Sequence, residues 1–249
     1  MDSVSNPLHR RTAGTPHPIL LSFSGIDGAG KTTQINNLIA SLNQVGLRVR
    51  LIAFWDDIAT LRRLRETTGH ALFKGEKGVG SPDKPVKRRD KNVQSWYMIP
   101  VRMALVALDA IGLALVVARI KRTTVGRNRD ADVVVFDRYL YDQLANLDMK
   151  NGVVRLYVRL LLKLIPHPRI AYLLDADPVL ARARKPEYPL EFLLTNRARY
   201  LAVSKMAGMK VIHAGTPEEV GKNVLGEFSR TLAPFQNSPA SEILTSNQG

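Results

Sequence analysis

Residues 25–33 read Gly25-Ile26-Asp27-Gly28-Ala29-Gly30-Lys31-Thr32-Thr33, a complete G-x-x-x-x-G-K-T loop. The apolar run Ile19-Leu20-Leu21-Ser22-Phe23 leads into it. Ile35, Leu38, Ile39, Leu42 and Val45 follow at helical spacing, with Gly46 as the stop. Strand, loop and helix in that order are the context that gives the motif its meaning. Its glycines let successive N–H groups face phosphate oxygens, and the helix N-terminus adds positive potential. Lys31 is expected on the β- and γ-phosphates and the Thr32 hydroxyl on Mg²⁺. Gly25, Asp27, Gly28, Ala29, Gly30 and Thr33 complete the expected cradle. The loop predicts a chain that binds a nucleoside triphosphate, with ATP and Mg²⁺ as cofactors.

The 249 residues suffice for one α/β domain, expected over 18–233, between a flexible N-terminal segment (1–17) and a flexible tail (234–249). With no cysteine, disulfides, thiolate metal sites and cysteine nucleophiles are excluded. The formal net charge of +14 suits anionic partners without choosing among them. Residues 1–17 hold prolines and His9-Arg10-Arg11 but no apolar stretch, so a cytoplasmic enzyme is expected.

Residues 103–120 are strongly apolar and approach the length of a membrane span. Asp109 stands at their centre, where a carboxylate in lipid is costly. A buried helix or a homodimer interface is the expectation, and a membrane is not.

Strands alternate with helices throughout. Val49–Phe54, Val133–Phe136, Ile170–Leu174 and Lys210–His213 read as strands after the first, and 61–70 and 93–120 as helices. Asp177 and Pro178 open another helix, and Thr216-Pro217-Glu218-Glu219 forms a capping box for the last. The expected fold is an α/β three-layer sandwich of the P-loop NTPase type: five parallel strands, helices on both faces, and a small lid at about 182–191.

The third strand runs into Asp137-Arg138-Tyr139. A carboxylate at that strand end lies on the ligand-binding edge of an open sheet, where Asp137 could hold Mg²⁺ or accept a proton and Arg138 could clamp a phosphoryl group. With the loop, Asp137-Arg138-Tyr139 and the basic Ala181-Arg182-Ala183-Arg184-Lys185, the chain resembles the thymidylate kinase family over roughly residues 18–230. The resemblance implies transfer of the γ-phosphoryl of ATP to a nucleoside monophosphate such as dTMP. It implies Asp27 near the acceptor sugar, Arg138 on the transferring group, and Arg182 and Arg184 closing over the phosphates. Lys31, Asp137, Arg138, Arg182 and Arg184 are thus the candidate catalytic residues, and Tyr139 joins the acceptor side.

At the end of its second strand that family carries an Arg-Glu-Pro-Gly-Gly-Thr type segment, where this chain reads Phe54-Trp55-Asp56-Asp57. The related deoxynucleoside kinases use a carboxylate there as base. Asp56 or Asp57 fits that role with Trp55 packing on the acceptor; otherwise Asp57 caps a helix over a buried Trp55. A nucleoside or other hydroxyl-bearing acceptor is therefore the alternative. Arg102 matches an acceptor-binding arginine of the family. Phe73 either stacks on a base or belongs to the core. Tyr188 either reads the acceptor with Glu187 or ends one helix and starts the next.

Lys84, Lys87, Arg88, Arg89 and Lys91, beside Trp96 and Tyr97, suit a phosphate-facing loop or a solvated face better than a nucleic-acid groove. A P-loop ATPase acting on nucleic acid or at a membrane is the reading from another class. Against it, Arg138 stands where motor ATPases carry a water-activating Glu, and no Asn-Lys-x-Asp guanine-recognition segment is present. The intact Lys31, Thr32, Asp137 and Arg138 argue against a degenerate binding module.

Overall fold

β1 (Ile19–Ser24) is buried along its whole length, as a strand covered on both faces must be. Around it the computed structural model, which describes residues 17–58, 98–123 and 130–232, builds a five-stranded parallel sheet in the order β2-β3-β1-β4-β5. The other strands are β2 (Val49–Ala53), β3 (Val133–Asp137), β4 (Ile170–Asp175) and β5 (Lys210–His213). Phe23 and Ala53 both stand in register with Asp137, so the carboxyl ends of β1, β2 and β3 finish level. β1 has β3 on one side and β4 on the other. The loop that leaves it therefore emerges where the chain changes direction across the sheet, the usual ligand crevice of such folds.

One face of the sheet is covered by α1 (Lys31–Gln44) and α7 (Pro217–Leu232). Ile35, Leu38 and Leu42 pack there with Phe228 against Leu21, Phe23 and Tyr172. The other face carries α2 (Met98–Thr123), α3 (Leu140–Leu144), α4 (Gly152–Leu164) and α6 (Leu190–Ala207), with the short α5 (Pro178–Arg184) beside the first loop.

The caps follow the sequence. Asp177 accepts from the N–H groups of Val179 and Leu180 at 2.8 and 3.1 Å. Thr216 and Glu219 exchange the two bonds of a capping box at 2.9 and 3.2 Å. Gly46 takes a left-handed φ of 82° just after α1.

Two boundaries and one burial differ from expectation. β2 stops at Ala53 because Phe54–Ile58 winds into a single wide π turn, closed by the Asp57 carboxylate accepting the Ala53 N–H at 2.8 Å. Phe54, not Trp55, is the aromatic buried beneath that turn; Trp55 is 37% exposed and meets Phe54 edge-on. α2 runs to Thr123, beyond the expected Ile120. The terminal segments 1–16 and 234–249, the 61–70 helix, Phe73 and the basic cluster 84–91 lie outside the described residues.

α2 is long and apolar enough to cross a membrane by length and composition, with a hydropathy of 2.2. Asp109 at its centre is nevertheless fully buried in the protein and accepts from the Gln143 side chain at 2.8 Å. Val106, Ala110, Leu113 and Val117 share that inward face. The outward face carries Val101, Leu108, Ile111 and Leu115, the last 67% exposed.

Candidate active site

Two glycines show why the loop tolerates no side chain where it does. A Cβ on Gly25 would stand 2.6 Å from the Leu174 carbonyl oxygen of β4, and one on Gly28 2.2 Å from that of Ala181 in α5. Both separations are too short for real contacts, so the loop sits backbone to backbone against its neighbours. Gly30 precedes the first turn of α1, where Lys31 begins the helix and Thr32 and Thr33 are exposed. Ala29 packs against both cores.

Lys31 is 7% exposed, and its ammonium donates to the carbonyls of Gly25 and Ile26 at 2.8 and 2.9 Å. Burial, and then the nearby Arg138, lower its pKa to about 8; Asp27, Asp142 and Asp137 pull the other way. Its charge is therefore close to titrating near neutral pH.

Arg138 is the only non-glycine residue with positive φ (70°) among the described residues. Its N–H still donates to the Phe23 carbonyl at 3.0 Å, extending the β3–β1 pairing by one step. The unusual φ turns the side chain back toward the loop. There the guanidinium reaches Asp27 at 2.5 Å and Asp142 at 3.3 Å. Burial opposes its charge, but Asp142, Tyr200 and Asp27 more than offset that and hold it protonated above its ordinary range.

Asp142 is the residue that motif reading passed over. It is 1% exposed and accepts from the Ser24 hydroxyl (2.7 Å), the Tyr139 N–H (3.1 Å), the Tyr200 hydroxyl (2.8 Å) and Arg138. β1, the Asp137-Arg138-Tyr139 segment and α6 thus meet on one carboxylate. Its position four residues after Arg138 is the one signal available in sequence, close enough along the chain for the two side chains to meet. Burial, with Asp142 adding to it, pushes the Tyr200 hydroxyl pKa well above 10.0. A second unread pair, Asp175 with Arg197 at 2.5 and 2.8 Å, ties the end of β4 to α6.

Asp137 is half-buried at the carboxyl end of β3, and its carboxylate has no hydrogen-bond partner among the described residues. With the exposed Thr32 hydroxyl it offers two hard oxygen donors on adjacent elements. No group of three or more acidic, His or Cys side chains able to hold a metal occurs among the described residues. Mg²⁺ needs none when phosphate and water supply most of its ligands, so these two residues fit it.

The remaining candidates divide. Trp55 and Asp56 are exposed at the end of β2, on the same edge as Asp137, whereas the Asp57 carboxylate is engaged by Ala53. Arg102 lies half-buried in the first turns of α2. Arg182 and Arg184 occupy the last turn of α5, directly after the Ala181 that touches Gly28. Tyr139 is fully buried: its hydroxyl donates to the Pro166 carbonyl at 2.6 Å and its ring meets Phe136 edge-on, a core position rather than an acceptor contact. Burial raises its pKa well above 10.0. Tyr188 is 4% exposed and stacked on Phe192 at 5.0 Å, at the junction of α5 and α6.

No family model matches the chain. Two curated relatives do, both named probable thymidylate kinase. The one from Pyrobaculum aerophilum is 35% identical over 121 residues, covering 45% of this chain and 62% of the relative. The one from Pyrobaculum calidifontis is 30% identical over 124 residues, covering 47% and 64%. The crystal structure of thymidylate kinase from Ehrlichia chaffeensis superposes with a TM-score of 0.51 at 19% identity, over 86% of this chain and 100% of that one. Over the matched stretch the chain is similar to proteins named probable thymidylate kinase. It spans somewhat less than two thirds of the length of the curated relatives it matches. The likeness to the solved structure, at its low identity, establishes the P-loop α/β fold of this chain.

Proposed function

We propose that the chain is an ATP-dependent kinase that passes the γ-phosphoryl to a nucleoside monophosphate, with dTMP the first acceptor to test. The observation that carries the reading is Arg138. A left-handed, non-glycine backbone is costly, by about 1–3 kcal/mol, and such conformations cluster where function requires them. Here it delivers a guanidinium, anchored by Asp142, to the carboxylate of the phosphate loop. The relatives named probable thymidylate kinase support the same reading.

Phosphoryl transfer needs positioning and positive charge more than covalent help. Lys31 and the loop N–H groups hold the donor phosphates. Arg138 faces the transferring group, and Asp27 lies within reach of the acceptor sugar. Arg182 and Arg184 close from α5, which already touches the loop. Mg²⁺, when bound, neutralises phosphate charge, and Thr32 and Asp137 are the residues that would hold it. A cytoplasmic setting, where ATP and nucleotides are supplied, suits this reading.

The test is incubation with ATP, Mg²⁺ and dTMP, scored for ADP and dTDP together. Formation of both supports the reading. A second acceptor class rests on Trp55 and Asp56, an indole and a carboxylate exposed at the sheet edge. Product from a nucleoside but none from dTMP would establish that class instead. ADP release without any acceptor would replace both readings with a P-loop ATPase.

A further inference from the structure

Among the described residues three buried side-chain atoms have no hydrogen-bond partner: Ser22 Oγ, Gln34 Oε1 and Asn196 Oδ1. A buried polar atom without a partner is costly, so each calls for a reason. Ser22 lies inside β1, and Gln34 is held through the other end of its amide on the Pro217 carbonyl at 2.9 Å. Asn196, 5% exposed, is the one that stands beside the Arg138 network.

Its place follows from α6. Leu193, Asn196, Tyr200, Val203 and Ser204 are the buried residues of that helix, a stripe at three- and four-residue spacing. One turn after Asn196 the Tyr200 hydroxyl donates to Asp142, which in turn holds Arg138. α6 ends just before β5 begins, and β5 runs parallel to β4. The helix therefore descends from the carboxyl edge of the sheet toward its amino edge, and Asn196 is one turn nearer the carboxyl edge than Tyr200. Arg197, the next residue, fixes that level, for its guanidinium forks onto Asp175 at the end of β4. Ser24 of β1 is in register with Leu173, so Asp175 stands level with the start of the phosphate loop. The Asn196 amide thus lies on the inner side of α6, at the height of the loop that carries Asp27.

We propose that Asn196 reads the sugar of the acceptor, its amide oxygen accepting a hydrogen bond from a ring hydroxyl. The inference rests on the kinase reading, which sets the acceptor sugar near Asp27. The unpartnered atom is an acceptor and needs a donor. Ionised phosphate oxygens offer none, whereas a sugar hydroxyl carries one. Asp27 is already engaged by Arg138, which leaves the hydroxyl proton to the amide. A leucine of similar size at this position would leave nothing unsatisfied. A site that keeps a lone buried amide instead gives up stability for recognition.

The experiment is isothermal titration of the full chain with dTMP, whose one free hydroxyl is the 3′, and with 3′-deoxythymidine monophosphate, which lacks it. Asn196→Leu should weaken dTMP binding by about tenfold, the worth of one hydrogen bond. Affinity for the 3′-deoxy nucleotide and for an ATP analogue should stay as it was. The urea midpoint of the variant should hold or rise, because no bonded group is lost. An equal loss for both nucleotides overturns the proposal, as does an unchanged dTMP affinity or a lowered midpoint. No binding of dTMP to the unaltered protein overturns it together with the monophosphate reading. The expected binding pattern without any dTDP formed on turnover would uphold the contact and remove the kinase reading alone.

Discussion

The guanidinium of Arg138 lies 2.5 Å from the carboxylate of Asp27, joining the end of the third strand to the phosphate loop across 111 residues of sequence. Such a pair sets the direction of the arginine, and on the proposed kinase reading the same carboxylate faces the acceptor sugar. Arg138→Lys keeps the charge but loses the planar fork. It should lower kcat by about 10³-fold, at the low end of what a well-placed arginine contributes to phosphoryl transfer. Asp27→Asn should cost less. The double variant should fall short of the product of the two, with a coupling of about 0.5–3 kcal/mol. Strictly multiplicative losses in kcat would show that the pair does not act as a unit.

Asp142 makes a separate prediction about stability. A buried carboxylate with four donors leaves those donors unpaired when it is removed, and breaking a buried pair costs about 3–5 kcal/mol. Asp142→Ala should therefore destabilise the fold by about that amount in urea unfolding. Tyr200→Phe removes one bond to a charged acceptor and should cost about 1.5–3 kcal/mol. A loss below 0.5 kcal/mol for Tyr200→Phe, roughly the range of ordinary surface changes, would remove Tyr200 from the network.

The donor side of the site was legible because its chemistry is local. Nine consecutive residues specify the loop, and the strand before it and the helix after it follow from hydrophobic period alone. Asp137 and Arg138 were legible because the apolar run before them fixes where the strand ends. Asp142 and Tyr200 were not, since their meeting depends on how α6 crosses the sheet, and nothing in residues 190–207 marks their single tyrosine as the partner of a distant carboxylate. The alternative that buried Trp55 fails for a simpler reason. A strand continuing to Phe54 would alternate sides, but the Asp57 carboxylate caps Ala53 and turns the chain first, which buries Phe54 and leaves Trp55 out.

Lys31 should give opposite pH trends in binding and stability. Its pKa of about 8 means that the ammonium is present below pH 8 and lost above it. Affinity for an ATP analogue should therefore fall by about tenfold per pH unit above 8, provided the charged form is the one that binds. Stability runs the other way. The folded pKa lies below the ordinary 10.5, so the unfolded chain holds more protons between about 8 and 10.5, and this group's contribution rises with pH across that window. Lys31→Arg, charged throughout, should flatten the binding profile. Isothermal titration from pH 7 to 9.5 checks it; an affinity flat across pH 8 in the unaltered protein would mean that Lys31 is not what holds the phosphates.

Gly28→Ala tests whether the contact between the loop and α5 matters to catalysis. The new methyl would stand 2.2 Å from the Ala181 carbonyl, at a φ of 82° that alanine rarely adopts. Backbone cannot yield there as a flexible side chain would, so α5 must move away from the loop. Overpacking of this kind costs about 1–3 kcal/mol. If Arg182 and Arg184 act over the phosphates, their placement moves with α5. The variant should then lose kcat by more than its fall in stability explains, and the amides of residues 179–185 should exchange faster with deuterium. Arg182→Ala with Arg184→Ala supplies the control: both are in the last turn of α5 and unpaired among the described residues, so kcat should fall while the unfolding midpoint stays put. Should Gly28→Ala turn over normally while α5 exchanges faster, the packing of this helix on the loop serves stability alone.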